Sequence, residues 1–409
     1  MTGLQNSSFR RPELLAPAGD PARLEAAVRF GADAVYLAGK SFGMRTAPSN
    51  FTLEQMEESV RFAHGHGVRV YVTCNIVPHE ADMEQLPGFL QQTARAGVDA
   101  YLVSDLGVLR VLRRELPQAE IHVSTQAGVV NAEAAAFFYE QGARRVVPAR
   151  ELSLAELKTM RQKIPADMEI EAFVHGAMCV SFSGRCLLSS YLTGRDSNRG
   201  DCAQPCRWKY HLTEEKRPGQ YFPIGEDERG TYILNSRDLC MIEHLPELLD
   251  AGVTSFKIEG RAKSAYYVAL MTNAYRQALD AALAGRKPEP WVLEEVNKIS
   301  HREYCTGFFF GDEPGQNLNS GGYVRDYEVV ALVTGSSEGI LQASQRNRFF
   351  EGDELELLQP GVKPLKLRVE ELRGENGEPI NAVPHATMPF SMRCPVPAMP
   401  GSLLRRQKK

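Results

Sequence analysis

The sequence lacks any apolar run long enough to cross a bilayer. A membrane-spanning helix needs about 18 or more apolar residues in a row, and the 409 residues contain no such run. The first residues, MTGLQNSSFRRPELLAPAG, also lack the apolar core of a signal peptide. We therefore expect a cytoplasmic protein with no membrane partner.

Cysteine and net positive charge are also scarce. Eight cysteines are too few for a disulfide scaffold, so cysteines that cluster point to metal or redox chemistry. With 51 Asp and Glu against 47 Lys and Arg, the net charge is −4. This balance excludes bulk electrostatic binding of nucleic acid but is compatible with a local basic patch. A hydrophobic fraction of 43% excludes a largely disordered chain.

Short apolar runs alternate with helical patterns over the first 260 residues. The eight runs lie near residues 12–16, 33–38, 68–74, 99–104, 120–124, 144–149, 168–174 and 254–259. This rhythm predicts a (β/α)8 TIM-like barrel over residues 1–290. A doubly wound open sheet is the alternative, because a strand count does not show closure. Five glycines are predicted to end helices in the left-handed conformation: Gly31, Gly67, Gly97, Gly142 and Gly252.

Two further segments are predicted outside this pattern. Residues 175–253 form an oversized, cysteine-bearing insertion between the seventh and eighth strands. After a linker at 291–324, period-two alternation with Gly and Pro breaks predicts a small C-terminal β-barrel over 325–409. We expect the basic tail LLRRQKK to be mobile.

The insertion holds four cysteines spaced C-x6-C-x15-C-x3-C: Cys179, Cys186, Cys202 and Cys206. Four thiolates from a loop-rich segment are typical of an iron–sulfur cluster. Structural zinc prefers tighter spacing on both sides, and buried thiols that bind nothing are the third interpretation. The spacing leaves these three readings open. Cys240, further along, is an alternative ligand.

Polar residues follow the predicted strands, where a barrel of this kind has its active site. Arginine suits an anionic substrate because its guanidinium engages carboxylate or phosphate through two hydrogen bonds. Histidine transfers protons near neutral pH. We predict His175, Arg150 and Glu259 as catalytic residues. The predicted substrate-binding residues are Arg45, Asn75, Gln126, Lys257 and Arg261. Each taken singly is also consistent with a salt-bridged rim residue.

Peptidase motifs are weak by comparison. There is no H-E-x-x-H. A G-x-S-x-G occurs at Gly39–Gly43, but a nucleophile elbow leads straight into a helix, and here MRTAPSNF follows. Ser41 is therefore not predicted to be a nucleophile.

Several long motifs resemble one known family. The segment EAFVHGAMCVSFSGRC, followed by LLSSYL and GDCAQPCRW, is similar to the signature of peptidase family U32. PELLAPAGD, GADAVYLAG, NSRDL and SFKIEGRAKS are also family-like. The C-terminal β-domain fits the longer members, so the resemblance covers nearly the whole chain.

The resemblance implies a function other than proteolysis. Members of the family act in oxygen-independent or prephenate-dependent hydroxylation, and this chain is most similar to the branch that forms 5-hydroxyuridine at the wobble position of tRNA. Another branch hydroxylates a ribosomal RNA cytidine. The implied cofactor is a 4Fe–4S cluster on Cys179, Cys186, Cys202 and Cys206, with Cys240 as a fifth candidate. The implied co-substrate is prephenate, and a sister protein of the same family is an implied partner.

If tRNA is the substrate, the basic residues beside the cysteines are candidates for contacting it. The predicted RNA-binding residues are Arg195, Arg199, Arg207, Trp208 and Lys209. Cations neutralise phosphates, and an indole stacks on a base. A solvated basic loop is the alternative. For the whole protein, a U32-type collagenase-like peptidase, hydroxylation of another RNA and a non-catalytic scaffold are the alternative functions.

Overall fold

The computed structural model describes residues 11–43, 50–178, 186–205, 208, 237–311 and 326–408, with four two-residue strands between 212 and 231. The chain divides into two compact units. The first comprises Met1–Val28, Ala32–Lys263 and Arg302–Tyr323, and the second comprises Arg29–Gly31, Ser264–His301 and Val324–Lys409. Among the helices that the structure describes, none combines the length and hydropathy needed to cross a bilayer.

Eight parallel strands form a closed barrel in the first unit. The strands of this unit are β1 (Glu13–Pro17), β2 (Ala34–Leu37), β3 (Arg69–Cys74), β4 (Ala100–Val103), β5 (Glu120–Val123), β6 (Arg145–Val146), β7 (Glu169–Ala177), β8 (Leu212–Thr213), β9 (Tyr221–Phe222), β10 (Glu226–Asp227), β11 (Gly230–Thr231), β12 (Asp238–Cys240), β13 (Ser255–Ile258) and β14 (Tyr304–Cys305). Strands β1 to β7 pair in chain order, and β13 pairs with both β7 and β1. This closure confirms the predicted (β/α)8 barrel and rules out the open sheet.

Helices follow most of the barrel strands and cover the outside of the barrel. They are α1 (Pro21–Arg29), α2 (Leu53–Gly65), α3 (Glu80–Arg95), α4 (Leu106–Glu115), α5 (Ala132–Glu140), α6 (Leu154–Lys163), α7 (Leu188–Thr193) and α8 (Leu245–Asp250). Capping boxes start α2 at Thr52 and α6 at Ser153, which satisfies amide groups of the first turn. The five glycines predicted to end helices all have φ between 73° and 99°, which confirms that prediction.

Strand β7 is longer than the barrel requires. Its second half pairs with β12 in the antiparallel direction, and β12 pairs in turn with β14 in the parallel direction. The register places Cys240 directly opposite His175. A bulge between Lys257 and Ile258 shifts the pairing of β13 with β7 at the same level. The predicted insertion therefore contributes one strand that extends the sheet beside the barrel mouth.

The second unit contains two helices and an antiparallel sheet. Its elements are α9 (Ala265–Leu283), α10 (Pro290–Glu295), β15 (Tyr327–Ser337), β16 (Ile340–Gln345), β17 (Phe349–Phe350), β18 (Glu354–Leu358), β19 (Leu365–Arg368), β20 (Ala382–Val383), β21 (Pro389–Arg393) and β22 (Leu403–Gln407). Six strands follow the order β19-β18-β22-β15-β16-β21 and form a half-barrel, and β17 pairs with β20. The predicted C-terminal β-domain is thus confirmed.

The expectation of a mobile tail is wrong up to residue 407. Strand β22 lies inside the sheet, between β18 and β15. Leu404 and Arg405 have no exposed surface. The Arg405 guanidinium lies 2.7 Å from a carboxylate oxygen of Glu295 and 2.7 Å from one of Glu356. A basic composition predicts mobility only where the charges stay in water, whereas these two carboxylates neutralise Arg405 inside the unit.

Candidate active site at the mouth of the barrel

Lys257, Tyr36 and Phe173 form the floor of the barrel mouth. The Lys257 ammonium lies 4.4 Å from the centre of the Tyr36 ring and 5.2 Å from that of Phe173. The Tyr36 hydroxyl donates to the Ile258 carbonyl at 3.0 Å and lies 3.3 Å from Oε2 of Glu259. The structure thus brings together two predicted site residues, Lys257 and Glu259, around two aromatic rings that the sequence analysis did not select.

The charge of Lys257 is balanced from inside the barrel. Its Nζ lies 2.7 Å from Oε1 of Glu171, and both side chains are buried. Burial acts to raise the pKa of Glu171, but the positive charges of Lys257 and Arg145 outweigh it and hold that pKa below its usual value. Because a carboxylate already neutralises the ammonium, Lys257 is less available to an anionic substrate than its position predicted.

Glu171 belongs to a buried ion network in the barrel interior. The Arg145 guanidinium lies 3.0 Å from Glu171 and 2.6 Å from Glu13. The Tyr71 hydroxyl donates to Glu13 at 2.7 Å. Burial alone raises the pKa of Glu13, but Arg145 and Arg69 bring it down to about 2. None of these residues is among the predicted site residues, although each is a polar residue within an apolar strand.

Two arginines lie where barrel strands end. The Arg150 guanidinium stacks on Phe173, with its central carbon 3.9 Å from the ring centre, and donates to the Ala177 carbonyl at 2.7 Å. Arg261 is buried, with Nη1 3.5 Å from the Thr73 hydroxyl. A Cβ at Gly19 would lie 2.0 Å from the Arg261 carbonyl oxygen, so glycine is required there for Arg261 to take this position.

Asn75 and Gln126 are brought together through Ser124. The Asn75 side-chain amide donates to the Ser124 hydroxyl at 3.1 Å, and the same hydroxyl accepts from the Gln126 backbone amide at 3.4 Å. Both predicted residues therefore occupy the same side of the mouth, after β3 and β5. Arg45 lies outside the described residues.

His175 is buried at the junction of the barrel and the sheet extension. Its backbone carbonyl accepts from the Glu259 amide at 2.9 Å. Its ring centre lies 5.4 Å from that of Tyr304, a residue on β14 that sequence analysis missed. Burial is the main cause that raises the pKa of Tyr304. His175, Glu259 and Cys240 therefore lie on adjoining strands.

Cys186 and Cys202 lie in one compact segment. The Ser197 hydroxyl donates to the Cys186 carbonyl, and the Ala203 amide donates to Ser189 on α7 at 2.9 Å. Both cysteines are half-buried and free of disulfides. The Cys202 sulfur accepts from the Gln204 amide at 3.3 Å, a contact that stabilises a thiolate ligand.

Two of the predicted cluster ligands, Cys179 and Cys206, lie outside the described residues. Within the described ranges, no three His, Cys, Asp or Glu side chains converge on a common point suited to a metal ion. The thiols of Cys186 and Cys202 are donors of the kind that iron–sulfur clusters use.

The basic residues of this segment are largely neutralised where they are described. Arg195 pairs with Asp201 at 2.6 Å, and Arg199 reaches Asp82 on α3 at 2.8 Å. Trp208 exposes 44% of its surface. The other two predicted RNA-binding residues, Arg207 and Lys209, lie outside the described residues.

Family models match both parts of the chain. The model described as Peptidase family U32 matches residues 19–319, and that of the Peptidase family U32 C-terminal domain matches residues 325–405. The chain belongs to peptidase family U32. This confirms the resemblance drawn from the motifs.

Relatives of this U32 chain carry different names. It is 38% identical over 408 residues to tRNA hydroxylation protein P1 of Bacillus subtilis, covering 98% of this chain and 96% of that protein. It is 40% identical over 317 residues to the 23S rRNA 5-hydroxycytidine C2501 synthase of Escherichia coli, covering 75% and 46% of the two chains. It is 30% identical over 381 residues to a collagenase of Porphyromonas gingivalis, covering 89% and 90%.

Proposed function

We propose that this U32 protein hydroxylates tRNA, forming 5-hydroxyuridine at the wobble position with prephenate as co-substrate and a 4Fe–4S cluster as cofactor. The observation that carries the proposal is the similarity to tRNA hydroxylation protein P1, which extends over 98% of this chain and therefore includes both units. The similarity to an rRNA hydroxycytidine synthase supports RNA hydroxylation more broadly. The proposed partners are tRNA, prephenate and a sister protein of the family.

The mouth of the barrel is the proposed binding site for prephenate. Prephenate is a dicarboxylate, and guanidinium groups bind carboxylates through charge-assisted hydrogen bonds. Arg150 and Arg261, each following a barrel strand, are the proposed carboxylate ligands, with Arg45 as a third candidate. Lys257, at the floor of the mouth, is a further proposed substrate-binding residue, and its contacts with Tyr36 and Glu171 fix its position. Asn75 and Gln126 supply neutral hydrogen-bonding groups.

His175 and Glu259 are the proposed proton-transfer residues. They are joined through the main chain, since the Glu259 amide donates to the His175 carbonyl. The Tyr36 hydroxyl beside the Glu259 carboxylate orients that group. His175 lies on β7 and Glu259 directly follows the neighbouring strand β13, and we infer that both side chains come within hydrogen-bond reach of a bound substrate.

The cluster would be held by Cys179, Cys186 and Cys202, with Cys206 or Cys240 as the fourth ligand. When bound, such a cluster supplies electron transfer. Cys240 lies opposite His175 on β12, which places one candidate ligand next to the proposed proton-transfer residues. The Gln204 amide that contacts Cys202 supports a thiolate there.

Nucleoside analysis of tRNA tests the proposal. The full chain is expressed in a host whose own tRNA lacks 5-hydroxyuridine, and digested tRNA is examined by liquid chromatography and mass spectrometry. We expect 5-hydroxyuridine or its derivatives to appear, and to disappear in a host blocked in prephenate synthesis. Unmodified tRNA together with new 5-hydroxycytidine in rRNA would instead assign another RNA as substrate.

The cluster is tested on anaerobically purified protein. We expect about four irons and four sulfides per chain, lost in Cys186→Ala and Cys202→Ala and retained in Cys394→Ala, whose cysteine lies in the second unit. Comparison of Cys206→Ala with Cys240→Ala identifies the fourth ligand, because only the substitution of a ligand lowers the iron content. Stoichiometric zinc, or no metal, would contradict the proposed cofactor.

A further inference from the structure

A basic and aromatic surface lies where β16 turns into β17, in the second unit. Arg346, Arg348 and Phe350 are exposed, whereas Phe349 between them is buried and packs edge-on against Phe390. Phe350 exposes 43% of its surface, and the Arg348 guanidinium carbon lies 4.8 Å from the centre of its ring. We call Arg346, Arg348 and Phe350 the Arg/Phe surface.

The backbone of the Arg/Phe surface is fixed by hydrogen bonds. The amides of Arg346 and Asn347 both donate to the Val330 carbonyl, at 2.8 and 3.2 Å. The Arg406 side chain donates to the Arg348 carbonyl at 2.9 Å. Binding of a ligand here therefore costs little conformational entropy, because the turn is already ordered.

The positive charge of the surface is not neutralised locally. Among the residues that the structure describes, neither Arg346 nor Arg348 forms an ion pair, and the Arg346 guanidinium donates only to Ser344 and a main-chain carbonyl. Nearby carboxylates have other partners. Glu351 accepts two backbone amides, and Asp353 pairs with a different arginine at 3.0 Å. Two guanidinium groups thus remain available to an anion.

The ring of Phe350, which is partly exposed although Arg348 lies over it, adds a stacking surface to these charges. In the pairing of β17 with β20, its cross-strand neighbour is Ala382, whose methyl group covers little of a phenyl ring. Arginines that bind phosphates beside an exposed aromatic ring are the groups that recognise single-stranded RNA, with an unstacked base on the ring. The charge complementarity favours a polyanion over an apolar protein surface.

We propose that the Arg/Phe surface binds an unpaired segment of the RNA substrate, with phosphates on Arg346 and Arg348 and a base stacked on Phe350. This inference rests on the proposed function, because it takes RNA to be the substrate. It adds a contact in the second unit to those predicted beside the cysteines in the first unit.

Fluorescence anisotropy of the full chain with labelled twelve-nucleotide oligouridylate, at several KCl concentrations, tests the proposal. Loss of one stacked base weakens binding by about 5- to 150-fold. We expect Phe350→Ala to show a weakening in this range with an unchanged salt dependence. Arg346→Gln and Arg348→Gln should each reduce the slope of log affinity against log salt by about 0.7. Arg348→Lys keeps the positive charge, so the slope of log affinity against log salt should not change. Binding should still weaken, because the lysine ammonium does not stack on the Phe350 ring as the planar guanidinium does.

Two matched variants in the same unit control for charge and apolar area. Arg393→Gln removes an exposed arginine that pairs with Glu371 at 3.7 Å, and Val362→Ala removes an exposed apolar side chain. Both should bind as the wild type does, and all variants should keep its circular dichroism spectrum and melting temperature.

The outcomes separate this inference from the proposed function. Wild-type affinity in Phe350→Ala and both Arg→Gln variants, in a chain that still modifies tRNA, overturns the Arg/Phe surface alone. Loss of a co-purifying protein in these variants, with RNA binding intact, assigns the surface to a protein partner and also overturns the inference. A wild-type chain that neither binds RNA nor modifies tRNA contradicts the proposed function itself.

Discussion

At the scale of the residue, the cations of the barrel mouth differ in what already neutralises them. Lys257 is bound to the Glu171 carboxylate at 2.7 Å. Arg150, in contrast, stacks on Phe173 and donates to a main-chain carbonyl, and the described residues give it no carboxylate partner. Position at the carboxyl end of a strand predicts both cations as site residues, but the neighbouring groups decide which of them has no carboxylate partner already.

This difference predicts the effect of Arg150→Gln. A charged hydrogen bond contributes about 1.5–3 kcal/mol, so the prephenate concentration for half-maximal tRNA modification should rise by about 10- to 150-fold. Titration of prephenate against 5-hydroxyuridine yield measures it. Arg144→Gln is the control, since Arg144 is exposed and pairs only with surface groups. An unchanged titration in Arg150→Gln would remove this residue from the prephenate site.

At the scale of the element, the ion network ties strands on different sides of the barrel to one another. Glu13 on β1 and Arg145 on β6 meet at 2.6 Å. The pKa of Glu13 is lowered to about 2 from an ordinary 4.5, so its carboxylate stabilises the fold above about pH 4.5 and loses that effect as pH falls towards 2.

We expect the stability difference between wild type and Glu13→Gln to narrow on acidification. The lowered pKa of Glu13 contributes about 3 kcal/mol to the free energy of unfolding at neutral pH. About 2 kcal/mol of this contribution should be lost between pH 6 and pH 3. Urea unfolding of both proteins at these two pH values measures it. A difference that stays constant or widens towards pH 3 would show that the Glu13 carboxylate is not held by Arg145 in the folded chain.

The C-terminal strand β22 gives a second prediction for an element. Replacing Arg405 with leucine removes the partner at 2.7 Å from the buried Glu295 carboxylate, which keeps Lys298 at 3.0 Å, so we expect a loss of about 1.5–3 kcal/mol in stability. Arg406→Leu is the matched control, because its partners are partly exposed and such pairs contribute about 1 kcal/mol or less. Hydrogen exchange of peptides from 326–408 reports the loss. Equal protection in the two variants would contradict a structural role for Arg405.

Local patterns predicted the elements, and contacts between distant residues explain the misses. The strands were predictable from short apolar runs. The helix ends were predictable from glycines that stand just before the next strand. Both patterns depend only on residues that are close together in the sequence. Glu13 and Arg145 are 132 positions apart, so their contact exists only once the barrel closes. Arg405 and Glu295 are 110 positions apart, and without that contact a basic tail has the composition of a solvated one. The cysteines were selected from their own spacing, and Cys186 and Cys202 do share one segment.

At the scale of the whole molecule, one fold accommodates relatives named for RNA hydroxylation and for proteolysis. The collagenase of Porphyromonas gingivalis matches 89% of this chain at 30% identity, whereas tRNA hydroxylation protein P1 matches 98% of it at 38% identity. The sequence contains two G-x-S-x-G matches, centred on Ser41 and Ser337, and Ser337 is followed by strand β16 and not by a helix. In the structure Ser41 and the two residues after it lie outside any helix, whereas the nucleophile of such an elbow leads directly into one.

We therefore expect no peptidase activity from the intact protein. Fluorescein-labelled gelatin is incubated with anaerobically purified wild type and with Cys186→Ala, and trypsin serves as the positive control. Neither chain should release fluorescent peptide above buffer, while the same wild-type preparation contains iron and modifies tRNA in vitro with prephenate. Cleavage by the wild type that Cys186→Ala abolishes would tie hydrolysis to the cysteine segment and favour the peptidase. Equal cleavage by both chains would also contradict the prediction, and it would show that the hydrolysis does not depend on Cys186.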